Sequence, residues 1–365
     1  MRNFFAVLLL PFLILLSGPA HAADLDAMIG QMLMAGFRGF AVDEDSAIVR
    51  DIRDRGLGGV ILFDHDMLLG SGRRNIRSAE QVEKLIRDLQ AQARIPLLVA
   101  VDQEGGKVQR LKRKYGFHET PAAADMCADG EFNVRTAGYM IGSNLSSVGF
   151  NLDFAPVVDV NVNPDSPAIG RLGRSFSSDP MRTAHCAGVF VDELHRAGVL
   201  SCLKHFPGHG SAGTDSHAGL TDVTETWSEA ELTPYRELIG SGRADMIMTA
   251  HIFNAKLDPN YPATLSKKVV TGLLREKLGF DGVVITDDMD MGAIADEYGR
   301  KEAVRLAIEA GADILLFGNN LSYDRRIAEK AHAIIRELVD DGIIPRSRIE
   351  TSYNRILRLK QSLKQ

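Results

Sequence analysis

The chain has 365 residues, of which 45% are hydrophobic, and a formal net charge of −6. This length fits one large α/β barrel or two ordinary domains, and the apolar content is ample for a core. The sequence contains no basic block or stripe, so nucleic acid is not an expected partner.

The first residues have the pattern of a secretory signal peptide. Arg2 precedes an apolar run, Phe4–Leu16, and Ala20-His21-Ala22 forms a small-x-small cleavage site. The run is shorter than the roughly 20 residues that span a bilayer. We therefore expect residues 1–22 to be removed and the protein to be exported, periplasmic or extracellular, without stable membrane insertion after cleavage. An uncleaved membrane anchor is the alternative.

Short β-branched runs alternate with amphipathic segments along the rest of the chain. The predicted strands are Met32–Phe37, Gly59–Phe63, Leu97–Val101, Leu152–Val160, Leu200–His205, Met246–His251, Gly282–Thr286 and Asp313–Phe317. The predicted helices include Ala79–Gln92, Thr183–Ala197, Arg300–Ala310 and a closing helix within Ile344–Gln365. This alternation predicts parallel βαβ units and a single-domain (β/α)8 TIM barrel over residues 23–365. A doubly wound sheet is the alternative, but no glycine-rich phosphate loop follows the first strand.

The three cysteines, Cys127, Cys186 and Cys202, do not form a disulfide framework by number or spacing. Two of them have apolar neighbours in the sequence. We therefore expect buried free thiols rather than a bridge or a nucleophile.

Polar residues gather where four of the predicted strands end. They are Asp102 to Gly106, Lys204 to Gly210, His251, and the pair Asp287 and Asp288. All strands of a TIM barrel end on one face, where active sites lie. The sequence therefore predicts one polar pocket at that face.

The most specific stretch is Lys204-His205-Phe206-Pro207-Gly208-His209-Gly210, followed by Asp215-Ser216-His217. In an extended segment the side chains of Asp215 and His217 share a face, so the carboxylate can orient the imidazole as a general acid/base. An incidental glycine-rich surface loop is the alternative interpretation. Three histidines, a lysine and an aspartate so close together favour a functional one.

The segment Gly279–Met289 predicts a buried strand that delivers Asp287 and Asp288 to the barrel mouth. Consecutive strand residues point to opposite sides, so one carboxylate should face the pocket and the other should make structural hydrogen bonds. Capping of the following helix by both is equally compatible with the pattern.

The segment Val101–Arg110 offers carboxylates, glycines that permit close approach of a ligand, and an arginine. This combination suits hydrogen bonding to vicinal sugar hydroxyls. An ordinary strand–loop–helix junction with capping acids is the alternative.

Taken together, these segments resemble family 3 glycoside hydrolases of the β-N-acetylglucosaminidase type. The resemblance covers nearly the whole mature chain. Its segments are Gly58–Phe63, Asp102–Arg110, Phe154–Val160, Gly173–Phe176, Lys204–His217 and Gly279–Met291. The resemblance implies an exo-acting, retaining enzyme that removes terminal β-linked N-acetylglucosamine from peptidoglycan or chitin-like fragments, with no metal or organic cofactor.

The resemblance also implies roles for individual residues. Asp287 corresponds to the nucleophile, His217 to the acid/base and Asp215 to its partner in a dyad. The residues that correspond to those binding the non-reducing sugar are Asp102, Arg110, Arg174, Lys204 and His205. We expect His209 only to shape the loop, and we expect a monomer.

The chain departs from the family pattern after the second predicted strand. Residues 64–72 form an apparent insertion before Arg73-Arg74-Asn75, and it carries Met67, Leu68 and Leu69. An insertion at the barrel mouth could reshape the aglycone side of the site. The single tryptophan, Trp227, predicts a pocket for one terminal sugar rather than an aromatic track.

Three other functions remain open at the level of sequence. A glycoside phosphorylase of the same family would also suit a histidine acid/base. A metal-dependent hydrolase could use His205, His209 and His217, although Pro207 and Gly208 disfavour the helix that would align the first two. An inactive sugar-binding relative is the non-enzymatic alternative.

Overall fold

The computed structural model describes residues 24–72, 74–214 and 219–363, apart from the side chains of residues 295 and 296. The predicted signal peptide, residues 1–22, and the predicted dyad of Asp215 and His217 lie outside the described residues. No helix in the described part of the chain is long and apolar enough to cross a membrane.

Short strands and longer helices alternate along the chain. The strands are β1 (Leu33–Gly36), β2 (Gly59–Ile61), β3 (Leu98–Val101), β4 (Gln103–Gly105), β5 (Val108–Gln109), β6 (Leu152–Asp153), β7 (Leu200–Phe206), β8 (Thr221–Asp222), β9 (Met246–Thr249), β10 (Ile252–Phe253), β11 (Val283–Ile285) and β12 (Leu315–Phe317). The helices are α1 (Leu25–Gln31), α2 (Ala47–Arg55), α3 (Ala79–Gln90), α4 (Ala123–Ala128), α5 (Glu131–Ser147), α6 (Pro180–Arg196), α7 (Thr233–Gly240), α8 (Gly292–Tyr298), α9 (Arg300–Ala310), α10 (Ile327–Asp340) and α11 (Arg346–Ser362), and a π-helix spans Lys268–Lys277.

Eight strands form one parallel sheet in the order β11-β9-β7-β6-β3-β2-β1-β12. A parallel bridge between Ile285 and Ile314 joins the two ends of this order, so the sheet curls into a barrel. The predicted (β/α)8 barrel is confirmed, and each predicted strand overlaps an observed one, with β7 extending to Phe206, one residue past its predicted end. Buried apolar side chains from strands and helices form one large core cluster.

The fourth predicted strand, Leu152–Val160, is the one that differs most from observation. Only β6 is assigned as strand, because Pro156 lacks an N–H and cannot take a full part in a ladder. The chain nevertheless continues beside β7. Cys202 N–H donates to the Ala155 carbonyl at 2.9 Å, and Val158 N–H donates to the Lys204 carbonyl at 2.9 Å.

The predicted helices are present: Arg300–Ala310 has the predicted bounds, Ala79–Gln92 starts as predicted and ends at Gln90, and the other two have shifted ends. Helix α6 begins at Pro180 rather than Thr183, because the Asp179 side chain accepts from Met181 N–H and proline suits the first helical position. Helix α3 begins after Ser78, whose hydroxyl accepts from Gln81 N–H. Local capping chemistry, rather than apolar periodicity, fixes these starts.

The prediction for the cysteines was wrong for two of the three. Cys127 in α4 and Cys186 in α6 form a disulfide, with an S–S distance of 2.06 Å and a Cα–Cα distance of 6.0 Å. Apolar neighbours indicate burial, but they do not reveal that two cysteines separated by 59 positions face each other across packed helices. Cys202 is a buried free thiol, as expected.

Candidate active site

The predicted polar pocket forms where the barrel strands end. Asp102 follows β3, Lys204 and His205 lie in β7, His251 follows β9, and Asp287 follows β11. Because the barrel strands are parallel, these ends open on the same face.

A cluster of ion pairs surrounds Lys204, and we call its five residues (Asp102, Glu104, Arg110, Arg174 and Lys204) the sugar corner, after the sugar-binding role predicted for four of them. Lys204 Nζ lies 2.9 Å from Asp102 Oδ1 and 2.7 Å from Glu104 Oε1. Arg174 donates from Nε and Nη2 to the two carboxylate oxygens of Glu104, each at 2.7 Å. Arg110 Nη2 donates to Asp102 Oδ2 at 3.2 Å. The side chains of Lys204 and Glu104 are only 2% and 4% exposed, so the cluster is fixed in place.

The sugar corner is charged despite its burial. Burial raises the pKa of each carboxyl, but Arg174 and Lys204 outweigh it and hold the pKa of Glu104 at about 2. Lys204 and Arg110 likewise hold the pKa of Asp102 well below its usual range. Burial lowers the pKa of Lys204, yet the two carboxylates raise it above its ordinary value. Two carboxylates and three cations therefore present fixed hydrogen-bonding groups and one net positive charge.

His205 is oriented by Asp159, which our site prediction omitted. His205 Nδ1 lies 2.7 Å from Asp159 Oδ2, while Asp159 Oδ1 accepts from the backbone N–H groups of His205 and His209 at 3.1 and 2.8 Å. A carboxylate acceptor places the proton on Nδ1, so Nε2 points its lone pair at Arg174 Nη2, 3.5 Å away. The only sequence signal for Asp159 was its place in Phe154–Val160.

The backbone of His209 contributes to this arrangement, while its ring is buried beside the ring of His205, with 5.9 Å between their centroids. Burial lowers the pKa of His209. These contacts agree with the loop-shaping role expected for this residue.

The two adjacent aspartates after β11 have different surroundings. Asp288 Oδ1 accepts from Gly318 N–H at 2.8 Å and from Asp290 N–H at 3.1 Å. Burial and the charge of Asp290 raise the pKa of Asp288 to about 7. Asp287 is half-buried, and its Oδ1 accepts from Asp288 N–H at 2.8 Å. The Asp288 side chain therefore makes structural hydrogen bonds, and Asp287 remains the candidate catalytic carboxylate.

Neither aspartate caps the helix that follows. Helix α8 begins at Gly292, and Met291 occupies the N-cap position without a side-chain bond. The capping alternative is therefore wrong.

His251 also lies outside our predicted set of site residues, although the sequence placed it among the polar strand ends. It is fully buried, with Nδ1 2.9 Å from Thr264 Oγ1 and Nε2 2.9 Å from the Asp288 carbonyl oxygen. It thus contacts the segment that carries Asp287.

The described flanks of the predicted proton-transfer loop lie close to each other. Thr214 Oγ1 donates to Thr221 Oγ1 at 3.0 Å, across residues 215–218. On the upstream side of the loop, Gly210 N–H donates to the side chain of the buried Glu231 at 3.0 Å. Burial raises the pKa of Glu231 to about 7. Glu231 was not recognised from sequence, because no motif marks a carboxylate that serves the backbone of a distant loop.

The segment 64–72, predicted above as an insertion, contributes Asp66 to a second ion cluster. We call Arg38, Asp66 and Arg74 the insertion corner. Asp66 Oδ2 lies 2.6 Å from Arg38 Nε and 2.9 Å from Arg74 Nη1, and the side chains of Asp66 and Arg74 are fully buried. Arg74 also donates to the Asn319 carbonyl at 2.6 Å, which ties the insertion to the loop after β12.

The tip of the insertion projects from this base. Its three apolar side chains, Met67, Leu68 and Leu69, are 58%, 53% and 60% exposed. The insertion is therefore an anchored hairpin that displays apolar side chains beside the barrel mouth.

The metal-dependent alternative uses His205, His209 and His217, and the last of these lies outside the described residues. In residues 24–72, 74–214 and 219–363, no three His, Cys, Asp or Glu side chains are grouped as a metal-ligand set. His205 Nδ1 is already bonded to Asp159.

A barrel whose mouth gathers carboxylates, basic side chains and an oriented histidine is typical of a glycoside hydrolase, and comparison with known proteins agrees. The family model described as "Glycosyl hydrolase family 3 N terminal domain" matches residues 24–359. The chain therefore belongs to glycosyl hydrolase family 3.

Curated relatives agree with this membership. The chain is 34% identical over 333 residues to Beta-hexosaminidase A of Pseudoalteromonas piscicida, covering 85% of this chain and 54% of that protein. It is 36% identical over 301 residues to a Beta-hexosaminidase of Tolumonas auensis, covering 79% and 83%. The chain thus spans about half of the first relative and most of the second.

Solved structures show the same fold. A family 3 beta-N-acetylglucosaminidase from a Paenibacillus species superposes with a TM-score of 0.85 at 37% identity, covering 94% of this chain and 63% of that one. A Beta-N-acetylhexosaminidase from Beutenbergia cavernae gives 0.83 at 29% identity, covering 93% and 99%.

Proposed function

We propose that the protein is an exo-acting, retaining β-N-acetylglucosaminidase that hydrolyses terminal β-linked N-acetylglucosamine. The observation that carries the proposal is that Asp287 and the sugar corner share one barrel mouth. Relatives named as hexosaminidases and N-acetylglucosaminidases support the choice of sugar. Carbohydrate is the partner; nucleic acid is not, and the enzyme acts as a monomer.

In the proposed mechanism, the sugar corner and His205 hold the hydroxyls of the non-reducing sugar. Asp287 attacks the anomeric carbon and forms a glycosyl ester, while His217 gives its proton to the departing glycosidic oxygen. Asp215 orients His217 and stabilises its charged form. His217 then takes a proton from water, which attacks the anomeric carbon, releases the sugar with retained configuration and frees Asp287.

The proposed substrates are peptidoglycan or chitin-like fragments with one terminal sugar in the pocket. Trp227 supports a pocket over an aromatic track, because its indole N–H donates to the Pro207 carbonyl at 3.1 Å and is used in holding the loop.

We further propose that the protein is exported and that residues 1–22 are its signal peptide. The disulfide between Cys127 and Cys186 supports export, because such bonds form and persist in oxidising compartments outside the cytoplasm.

A panel of aryl glycosides tests the activity. We expect release from the N-acetylglucosaminide and far less from the glucoside, with free N-acetylglucosamine as product whether or not phosphate is present. A sugar 1-phosphate product would identify a phosphorylase instead, and no turnover at all would favour the sugar-binding alternative.

The matched variants are Asp287→Ala and Asp281→Ala, two aspartates at opposite ends of the same strand segment. Asp287→Ala should lower kcat by at least about 10⁴-fold because the nucleophile is lost. Asp281 is exposed and pairs with Arg355 at 2.9 Å, so Asp281→Ala should keep wild-type turnover. Equal activity of both variants would contradict the assignment of Asp287.

A further inference from the structure

Two hydrogen bonds from the end of β9 hold the main chain on either side of the Asp287 side chain. Asp287 N–H donates to the Thr249 carbonyl at 3.2 Å. One residue later, the Asp288 carbonyl accepts from His251 Nε2 at 2.9 Å. Asp288, the residue that follows Asp287, is therefore bonded through its carbonyl to a buried side chain of a neighbouring strand end.

The acceptor fixes which nitrogen of His251 carries a proton. A backbone carbonyl can only accept, so Nε2 must be protonated for this bond to form. At the other side of the ring, Nδ1 lies 2.9 Å from Thr264 Oγ1. Thr264 Oγ1 is in turn 2.9 Å from Thr249 Oγ1 in β9, so the ring is held at Nδ1 by a hydroxyl bonded to β9 and at Nε2 by the Asp288 carbonyl.

We propose that His251 is a positioning residue that sets the orientation of Asp287 through the Asp288 carbonyl. The inference rests on the proposed role of Asp287 as nucleophile. His251 holds the carbonyl of Asp288, the residue on the C-terminal side of Asp287, while the Thr249 carbonyl accepts from the Asp287 N–H. The Asp287 carboxylate is bonded through Oδ1 to the N–H of the same Asp288.

Asp288 links the position of the His251 ring to that of the Asp287 carboxylate. Asp288 N–H, which fixes Asp287 Oδ1, and the Asp288 carbonyl, which His251 holds, belong to the same residue. If the bond from His251 is lost, Asp288 can rotate and carry the carboxylate of Asp287 with it. A displacement of about 1 Å at a reacting group can cost on the order of 10²-fold in rate.

Three substitutions of His251 distinguish loss of the Nε2 hydrogen bond from loss of side-chain packing. The amide nitrogen of Gln can reach about as far as Nε2, the shorter amide of Asn can replace only Nδ1, and Leu offers no donor. We expect kcat to fall on the order of 10²-fold in His251→Leu and His251→Asn, and less than about 10-fold in His251→Gln. The rate at which Asp287 becomes glycosylated, followed by intact mass, should fall in parallel.

Binding of N-acetylglucosamine, measured by calorimetry on the full chain, reports whether the variants keep their fold and their sugar corner. We expect each Kd to stay within about 2-fold of wild type, because none of the groups in the sugar corner changes. A shift in Kd without a shift in kcat would overturn the inference. Equal kcat for the Gln and Asn variants would also overturn it, and this comparison does not depend on the Leu variant folding.

His332 provides a matched control. Its Nε2 lies 2.9 Å from the backbone carbonyl of Asp26, the same kind of bond, in a buried position between helices α10 and α1. His332→Leu should lower the Tm and leave kcat unchanged, because that bond holds no reacting group. A kcat loss as large as that of His251→Leu would show that such bonds act only on general stability and would overturn the inference.

The inference and the proposed function fail in different ways. If Asp287→Ala retains turnover, the nucleophile assignment is wrong whatever the His251 variants do. If Asp287→Ala is inactive while His251→Leu glycosylates Asp287 as fast as wild type, only the positioning role is wrong.

Discussion

The sugar corner and the insertion corner each contain an aspartate between two basic side chains, but the two clusters have different roles. In the first, Asp102 lies between Lys204 and Arg110; in the second, Asp66 lies between Arg38 and Arg74. Arg110 and Arg38 are each 27% exposed, but Asp102 remains 18% exposed whereas Asp66 and Arg74 are fully enclosed. An ion cluster at a barrel mouth is therefore a candidate for ligand binding only where its carboxylate is still accessible.

The two corners also differ in what surrounds them. The sugar corner is set among the polar strand ends of β3 and β7, where the pocket lies. The insertion corner links three loops, those after β1, β2 and β12. The loop after β12 takes part through the Asn319 carbonyl, which accepts from Arg74. Breaking each corner should therefore affect different properties, with activity lost in one case and stability in the other.

Of the changes to the two corners, the one at Lys204 is expected to have the largest effect. Lys204→Met removes the cation between Asp102 and Glu104, so we expect kcat/KM to fall about 10³-fold and stability to fall by about 3 kcal/mol, since breaking a buried ion pair leaves charge uncompensated. Aryl-glycoside kinetics and urea unfolding measure the two quantities. Lys360→Met is the control: this lysine is also buried and donates to Gln31 Oε1 at 2.6 Å, so stability should fall without loss of kcat/KM.

The next largest effect is expected at Asp66. Asp66→Ala leaves Arg74 buried without its carboxylate, and we expect a loss of about 3–4 kcal/mol in the free energy of unfolding. Activity on aryl glycosides at a temperature where the variant is folded should change less than about 3-fold. A 10²-fold loss of kcat/KM in the folded variant would mean that the insertion corner belongs to the active site.

A smaller effect is expected from the disulfide, which belongs to neither corner. Replacing Cys127 and Cys186 together by Ser should cost roughly 2–4 kcal/mol, because the bridge restricts the unfolded chain. Cys202→Ser provides the comparison, since that thiol is buried and free. If reducing agent lowers the Tm of the double variant as much as that of wild type, the bridge is not the source of the stabilisation.

The last effect is a pH dependence at Asp288. Its pKa in the fold, about 7, lies above the ordinary value of 3.8, so the native state holds the proton more tightly than the unfolded state does. The native state should therefore lose stability as pH rises from about 4 to about 7, and the loss should be complete above that window. Asp288→Asn keeps the acceptor oxygen and removes the titration, so its stability relative to wild type should increase across this window. A difference that does not vary with pH would contradict the shifted pKa.

Most of the fold could be predicted from the sequence because each barrel strand lies in a short apolar run, and four of these runs lead into polar residues. The barrel positions of Asp102, Lys204 and Asp287 follow from this pattern alone. The bounds of the predicted strand Leu152–Val160 could not be obtained in this way, since the run contains Pro156. Apolar periodicity does not detect which residues in a run can still donate hydrogen bonds.

The candidate site was predictable where a motif marks it and not where tertiary contacts create it. Lys204 and His205 stand in a recognisable stretch, but Asp159, Glu231 and His251 act through bonds to distant backbone or side chains. No local pattern indicates which buried carboxylate will lie beneath which loop. The disulfide was missed for the same reason, because it joins helices whose contact exists only in the folded barrel.

The disulfide has a consequence for how the protein responds to proteolytic cleavage. Residues 127–186 form a covalently closed loop that contains α5, β6 and the exposed turn around Pro164 and Asp165. A single cleavage in that turn would leave the two fragments attached to each other through sulfur, with the barrel contacts on both sides intact. A nicked enzyme of this kind would migrate as one molecule until a reductant separated its halves.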